Sequence, residues 1–404
     1  MSGINPDLQS LKLPLAMFLR SYPLWAAILC SAFGVPAAHA TENPASPGSS
    51  VAYVGDYTDK EGQGIYAFRF NARTGGMVPL GLAVETPNPS FIVLHPTGKY
   101  LYAVGFTGPF TGPRIGLVSA FAMDPVSSKL TLINQQSSGG GGPVRITINQ
   151  AGTHVLVANY GTGNVSVLPV EPDGRLDTAT ALQQHTGWGP NQSRQDQPHA
   201  HSVTLDPAER FAFACDLGID KVMIYQFDAA SGTLARHGSA AMAPGSGPRH
   251  LTFSPDGNFA YVISEMLSTI TVFRYDSAEG RLTELQTIST LPSDWKGINT
   301  AAEVHVHPSG KFVYASNRGS DSIATFSAAP DGRLSLVGFT PCGGKTPRFF
   351  TLDSTGAWLL CAHQNSGTIA IFKIDPDTGL PKQVGAPVKT PNPTCIVLRP
   401  ETAP

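Results

Sequence analysis

The residue types able to do chemistry lie far apart in this chain: a carboxylate at Glu265, arginines at Arg249, Arg318 and Arg348, and two histidines, His199 and His201. Asn159, Asp216 and Asn317 add further polar groups that could contact a bound molecule. A carboxylate can take a proton from water, and a histidine can exchange one near neutral pH. Arginines can clamp a carboxylate, a phosphate or a developing oxyanion. Such chemistry requires groups between Asn159 and Arg348 to meet at one point, which only a particular scaffold can arrange.

A repeated module supplies that scaffold. It consists of a strand, a Pro-x-Gly type turn and a second strand, clearest in Phe91-Ile92-Val93-Leu94-His95-Pro96-Thr97-Gly98-Lys99-Tyr100-Leu101-Tyr102. The turn position recurs at Pro96, Gln150, Pro207, Pro255, Pro308, Ser354 and Pro400, at intervals of 46 to 57 residues. A strand-built repeat of about 40 to 50 residues predicts a β-propeller. The expected fold is therefore all-β and seven-bladed, with four antiparallel strands per blade in a single domain over residues 51–404. The seventh copy, Thr390-Pro391-Asn392-Pro393-Thr394, mirrors Thr86-Pro87-Asn88-Pro89-Ser90, yet the chain ends soon after it. Its partner strands are expected at 51–57, 64–70 and 77–85, so that the last strand closes the ring and removes exposed sheet edges.

In an antiparallel blade, the start of the first strand and the end of the second share one edge. Six residues before each turn stand Ser90, Val144, His201, Arg249, Ala302, Arg348 and Thr394. Nine or ten residues after it stand Gly105, Asn159, Asp216, Glu265, Asn317 with Arg318, and His363. The alignment predicts a ring of ionisable groups at one mouth of the central channel. The longest insertions fall on the same face: 183–197 with Trp188 and Arg194, 291–301 with Trp295, and 107–113 with Phe110. Long loops on one face of a rigid scaffold commonly build a binding site. On an extended strand His199 and His201 should point the same way.

Composition agrees with many short strands and turns, with 42 glycines and 34 prolines among 404 residues. Charged residues make up 14%, against roughly 25% in average domains. A net charge of -2 without any Lys/Arg run excludes nucleic acid and acidic membranes as expected partners. Residues 1–40 resemble an export signal: Lys12 and Arg20 precede the apolar stretch 24–30, and Ala38-His39-Ala40 offers a cleavage pattern. The apolar run is short for the ~20 residues a membrane span needs. The expected product is a periplasmic or secreted protein, free of the membrane after cleavage, with a linker over 41–50. An uncleaved anchor or a misplaced start is the alternative. Cys215, Cys342, Cys361 and Cys395 would survive cleavage; an oxidising compartment permits a disulfide without requiring one. Their scatter lacks metal-binding spacing, and no third His or Cys supports zinc beside His199 and His201. The sequence carries no signal for a particular oligomeric state.

Several segments match a known family: Tyr53-Val54-Gly55-Asp56-Tyr57-Thr58, Gly139-Gly140-Gly141-Gly142-Pro143, Val157-Ala158-Asn159-Tyr160-Gly161, Pro198-His199-Ala200-His201-Ser202-Val203, Asp216-Leu217-Gly218 and Ser316-Asn317-Arg318-Gly319. They resemble the seven-bladed lactonases, a family that includes propeller-type 6-phosphogluconolactonases and fungal carboxymuconate cyclases. The resemblance implies a small lactone as substrate, anionic in character, with no metal and no cofactor. It places the active centre on His199 or His201, Arg249, Glu265 and Arg318, with Glu265 as base or water-positioner, the histidines as polarising or proton-transfer groups and the two arginines as clamps; strand position adds Arg348, Asp216, Asn317 and Asn159 as further substrate-binding residues. Where the family pattern has an Asn-Glu pair, this chain has Gly105-Phe106; Ser264 and Asp56 also depart from it. The same residues would serve a muconate-type lyase or isomerase, or a non-catalytic propeller that binds a ligand at the mouth.

Overall fold

The computed structural model describes residues 48–58, 61–108 and 114–401. The expected export signal, most of the linker and Phe110 lie outside the described residues. Seven sheets carry four strands each along their pairing path, and in the last a short strand, Val388–Lys389, also pairs with Thr368–Ile374. The chain forms an all-β, seven-bladed propeller.

One blade shows why the sequence folds this way. Pro248–Phe253 pairs with Phe259–Ser264 through the turn Ser254-Pro255-Asp256-Gly257, where Gly257 takes a positive φ of 72° that suits glycine. Asp256 accepts the backbone N–H of Asn258 at 3.1 Å and so holds the turn. Thr269–Asp276 and Arg281–Ser289 complete the sheet. Blades are joined partly through second-strand tyrosines. Tyr102, Tyr261 and Tyr314 donate to the carbonyls of Gly174, Gly332 and Gly379 in the next blade, at 3.1, 3.2 and 2.9 Å. A Cβ at any of these glycines would collide with an aromatic ring, Tyr100, Phe259 or Phe312, so each repeated turn doubles as an inter-blade contact.

Pro393–Pro400 pairs antiparallel with Ser49–Asp56, followed in the same sheet by Gly64–Asn71 and Gly76–Glu85. The first strand thus begins at Ser49, inside the expected linker. The innermost strands of the seven blades contact one another in sequence around a closed ring. All four described cysteines are buried and free.

Candidate active site

A recurrent irregularity aims the channel-lining residues. Where four of the innermost strands meet their partners, the register shifts and one residue is left unpaired: Val144 between Pro143 and Arg145, His201 between Ala200 and Ser202, Arg249 between Pro248 and His250, and Arg348 between Pro347 and Phe349. These are the positions six residues before the turn. A β-bulge bends the strand and turns a side chain out of the normal alternation. In the sixth blade the shift spans two residues, Ala302 and Glu303. Counting six positions back selects Ala302 there and misses the carboxylate beside it.

Strand alternation separates the ninth position after each turn from the tenth. The ninth residues Asn159, Asp216, Ser264, Asn317 and His363 are fully buried, as is Asp56 at the equivalent place in the closing blade. The tenth residues include Phe106, Tyr160, Glu265 and Arg318, with Tyr57 in the closing blade. Grouping ninth and tenth positions together merges two different faces.

The ninth residues Asn159, Asp216 and Asn317, expected to bind substrate, have side chains bonded to the preceding blade. Asn159 donates to Ser138 O at 2.9 Å and accepts from Ser138 Oγ at 2.7 Å. Asn317 repeats this with Thr290 O and Thr290 Oγ1, both at 2.7 Å. Asp216 pairs with His185 Nδ1 at 2.5 Å and accepts the backbone N–H of His199 at 2.7 Å. Ser138, His185 and Thr290 each follow the outer strand of the preceding blade, so these bonds secure each crossover. Asn317→Ala should therefore lower unfolding free energy by about 1–3 kcal/mol, measured by denaturant titration. Its KM for an accepted lactone should stay within about twofold of wild type.

The tenth and bulged residues converge on Glu265. Its Oε1 accepts from Arg194 Nη2 at 2.6 Å, and its Oε2 lies 2.8 Å from Arg318 Nη2 and 3.1 Å from Arg249 Nε. His201 Nε2 lies 3.8 Å from the same Oε2. Arg194 comes from the 183–197 insertion and was absent from the residues expected to bind substrate. Its loop is anchored by buried Gln195, whose amide donates to Leu217 O and Asp220 Oδ1, both at 2.8 Å. A long polar insertion preceding Pro198-His199 was the sequence signal for it.

Accessibility divides the arginines. Arg249 is 2% exposed, and it also donates to Ala302 O at 2.5 Å and contacts His250, so it positions Glu265 from below. The Arg194 side chain is 37% exposed and that of Arg318 14%, so both can meet a ligand. Arg348 bonds Tyr57 Oη at 3.0 Å on another wall, with no direct bond to Glu265 among the described contacts. His199 and His201 diverge because the bulge interrupts the strand between them. His199 stacks on Tyr160 at 4.4 Å and bonds Tyr160 O at 2.8 Å, while His201 meets the same ring edge-on at 5.4 Å.

Charge sets the protonation states. Burial alone would push the Glu265 carboxyl up, but Arg318, Arg249, His201 and Arg194 hold it well below the usual range. Burial and the Arg249 charge push His201 well below the ordinary imidazole value, leaving it neutral. Burial, then Arg318 and Arg348, lowers Arg249 to about 9, which still leaves it charged at neutral pH. One carboxylate thus faces several guanidiniums, and the mouth keeps an excess of positive charge. Beneath it lies a second group: Glu303 contacts His250 Nδ1 at 3.0 Å and Arg145 Nη1 at 3.3 Å. Among the described residues no group of three or more His, Cys, Asp or Glu side chains is arranged to hold a metal ion.

Comparison with known proteins places this geometry in context. Residues 51–398 match a family model described as lactonase, 7-bladed beta-propeller. A protein named 6-phosphogluconolactonase from Bacillus subtilis is 33% identical over 347 residues, covering 86% of this chain and 97% of the relative. The solved periplasmic gluconolactonase of Pseudomonas aeruginosa is 32% identical with a TM-score of 0.82, covering 88% of this chain and all of that one. A putative 6-phosphogluconolactonase structure from Bacteroides fragilis is 34% identical with a TM-score of 0.81, covering 88% of this chain and 99% of its own.

Proposed function

The chain belongs to the seven-bladed β-propeller lactonase family, and on that footing we propose that it is an exported hydrolase that opens a small sugar-type lactone to its hydroxy acid. The observation that carries this reading is the buried Glu265 carboxylate, held by Arg194, Arg249 and Arg318 and faced by His201 at the channel mouth.

Glu265 Oε2 and His201 Nε2 are 3.8 Å apart. A water molecule about 2.8 Å from each could hydrogen-bond to both. Both Glu265 oxygens are already engaged by guanidiniums, so Glu265 orients the water and neutral His201 takes the proton. Of the two roles expected for Glu265, base or water-positioner, this reading gives it the second and makes His201 the base. The water oxygen bonds to the lactone carbonyl carbon, and the resulting oxyanion is steadied by Arg318 and Arg194. Collapse breaks the ring C–O bond, and His201 returns its proton to the departing ring oxygen. The developing oxyanion offsets the arginines and raises the basicity of His201 at the moment it is needed.

Export points to an unphosphorylated sugar lactone, since a phosphorylated intermediate is expected inside the cell, and the Pseudomonas relative is named periplasmic. The test gives purified protein gluconolactone, 6-phosphogluconolactone and a muconolactone in isotopically labelled water. Hydrolysis places one solvent oxygen in the product carboxylate. Ring opening without label would mean a lyase, and failure to consume any of the three would refute the lactonase reading.

A further inference from the structure

The channel has a second mouth, on the face of the tight turns, where a cavity of about 630 Å³ opens. Its walls include Phe91, Ile146, Phe349 and Val397, with Arg145 and His305 among the polar lining. The volume falls in the range of pockets that enclose small organic ligands.

Arg145 is the notable group. Its guanidinium carbon sits 4.2 Å from the centroid of the Phe91 ring, and its side chain is only 17% exposed. Nη1 alone is engaged, by Glu303 Oε2 at 3.3 Å and His250 Nδ1 at 3.2 Å. Among the described residues no hydrogen bond engages the N–H groups on Nε and Nη2, and neither nitrogen is one of the fully enclosed unpartnered atoms, which leaves both donors accessible. An Arg held by its stack and one ion pair, with its other donors free beside an apolar cavity, matches a bidentate carboxylate site. His305 strengthens this, because its Nε2 is buried without a hydrogen bond, 3.8 Å from Glu303. The acidic rim residues are already engaged: Asp353 accepts the N–H of Trp358 at 2.8 Å, and Glu401 pairs with Arg69 at 3.2 Å.

We propose that this second mouth is a separate ligand site for a small amphipathic monocarboxylate, its carboxylate on Arg145 and its apolar body against Phe91, Phe349, Ile146 and Val397. The site does not depend on the lactonase reading. It is nevertheless linked to the Glu265 group, because Arg145 and Arg249 both contact His250.

Benzoate titrated into the full-length protein by calorimetry tests this, with neutral benzamide as control. The expected result is one saturable benzoate event, at least about tenfold weaker for benzamide and unchanged in Arg318→Gln. Thr147→Trp, which fills the cavity, should abolish it; Thr351→Trp, from another wall, repeats the test if the first variant does not fold. Absence of saturable binding up to about 10 mM would overturn the proposal. So would benzoate binding that survives both folded cavity-filling variants, or that is lost in Arg318→Gln, since either locates the anion elsewhere.

Discussion

Glu265→Gln should cut kcat on an accepted lactone by about 10²–10³ while tightening the binding of anionic ligands. Glutamine keeps the size and one oxygen but removes the negative charge that Arg194, Arg249 and Arg318 share. The water beside His201 loses its orienting acceptor, which lowers kcat. The mouth gains one unit of net positive charge, so KM or Ki for an anion should fall. Fully buried Arg249 also loses its charged partner, which should cost about 3–5 kcal/mol of stability. Steady-state kinetics, normalised to the folded fraction from circular dichroism, separate the outcomes. Lower stability with unchanged kcat per folded molecule would make Glu265 purely structural. Weaker anion binding would contradict the charge argument.

The architecture was legible because it repeats. Seven turn markers and a mirrored C-terminal copy predicted the blade count and the closing strand, since a propeller's hydrogen bonding and its punctuation share one period. The site was legible only in part. His201, Arg249, Glu265, Arg318 and Arg348 stand at the predicted positions, and four of the five meet in one group. Asn159, Asp216 and Asn317 looked equally suitable because polar type and position along the strand were the only criteria. Their buried bonds to Ser138, His185 and Thr290 depend on a neighbouring blade, which no single copy of the repeat reveals. The bulges were invisible for a related reason. A bulge shows only in pairing, so the two-residue slip that brings Glu303 into the channel left no mark in the spacing.

Arg194 illustrates the remaining gap. It lies outside the repeat, and its role follows from the anchoring of Gln195 beneath Leu217 and Asp220. The repeat therefore builds the positively charged, buried floor of the site, and an insertion supplies the most accessible of the three arginines that hold Glu265. This division separates what holds Glu265 in its ionised state from what meets the ligand. It also explains why Arg249, central in sequence alignment of the blades, is better suited to position than to bind.

His201→Gln should lower kcat by about 10²–10⁴, whereas His199→Gln should leave it within about threefold. His201 faces the Glu265 carboxylate, but the His199 ring is committed to Tyr160 O and lies near Asp196 at 3.5 Å. The pH profile supplies the sharper test. Burial and Arg249 hold His201 below its ordinary value, so its neutral, proton-accepting form persists in acid. The acid limb of kcat/KM should then lie clearly below the pH of about 6.5 expected for an unperturbed histidine. Stability behaves differently. His201 and His250 are both held neutral in the fold, mainly by burial, yet gain protons near pH 6.5 when unfolded. The unfolded state binds more protons, so stability falls progressively as pH drops from about 6.5 toward the lowered folded values. Activity per folded molecule should therefore survive at pH values where total activity is already declining through unfolding. An acid limb near 6.5 that persists after this correction, or a His199→Gln loss as large as that of His201→Gln, would remove His201 from the role of base.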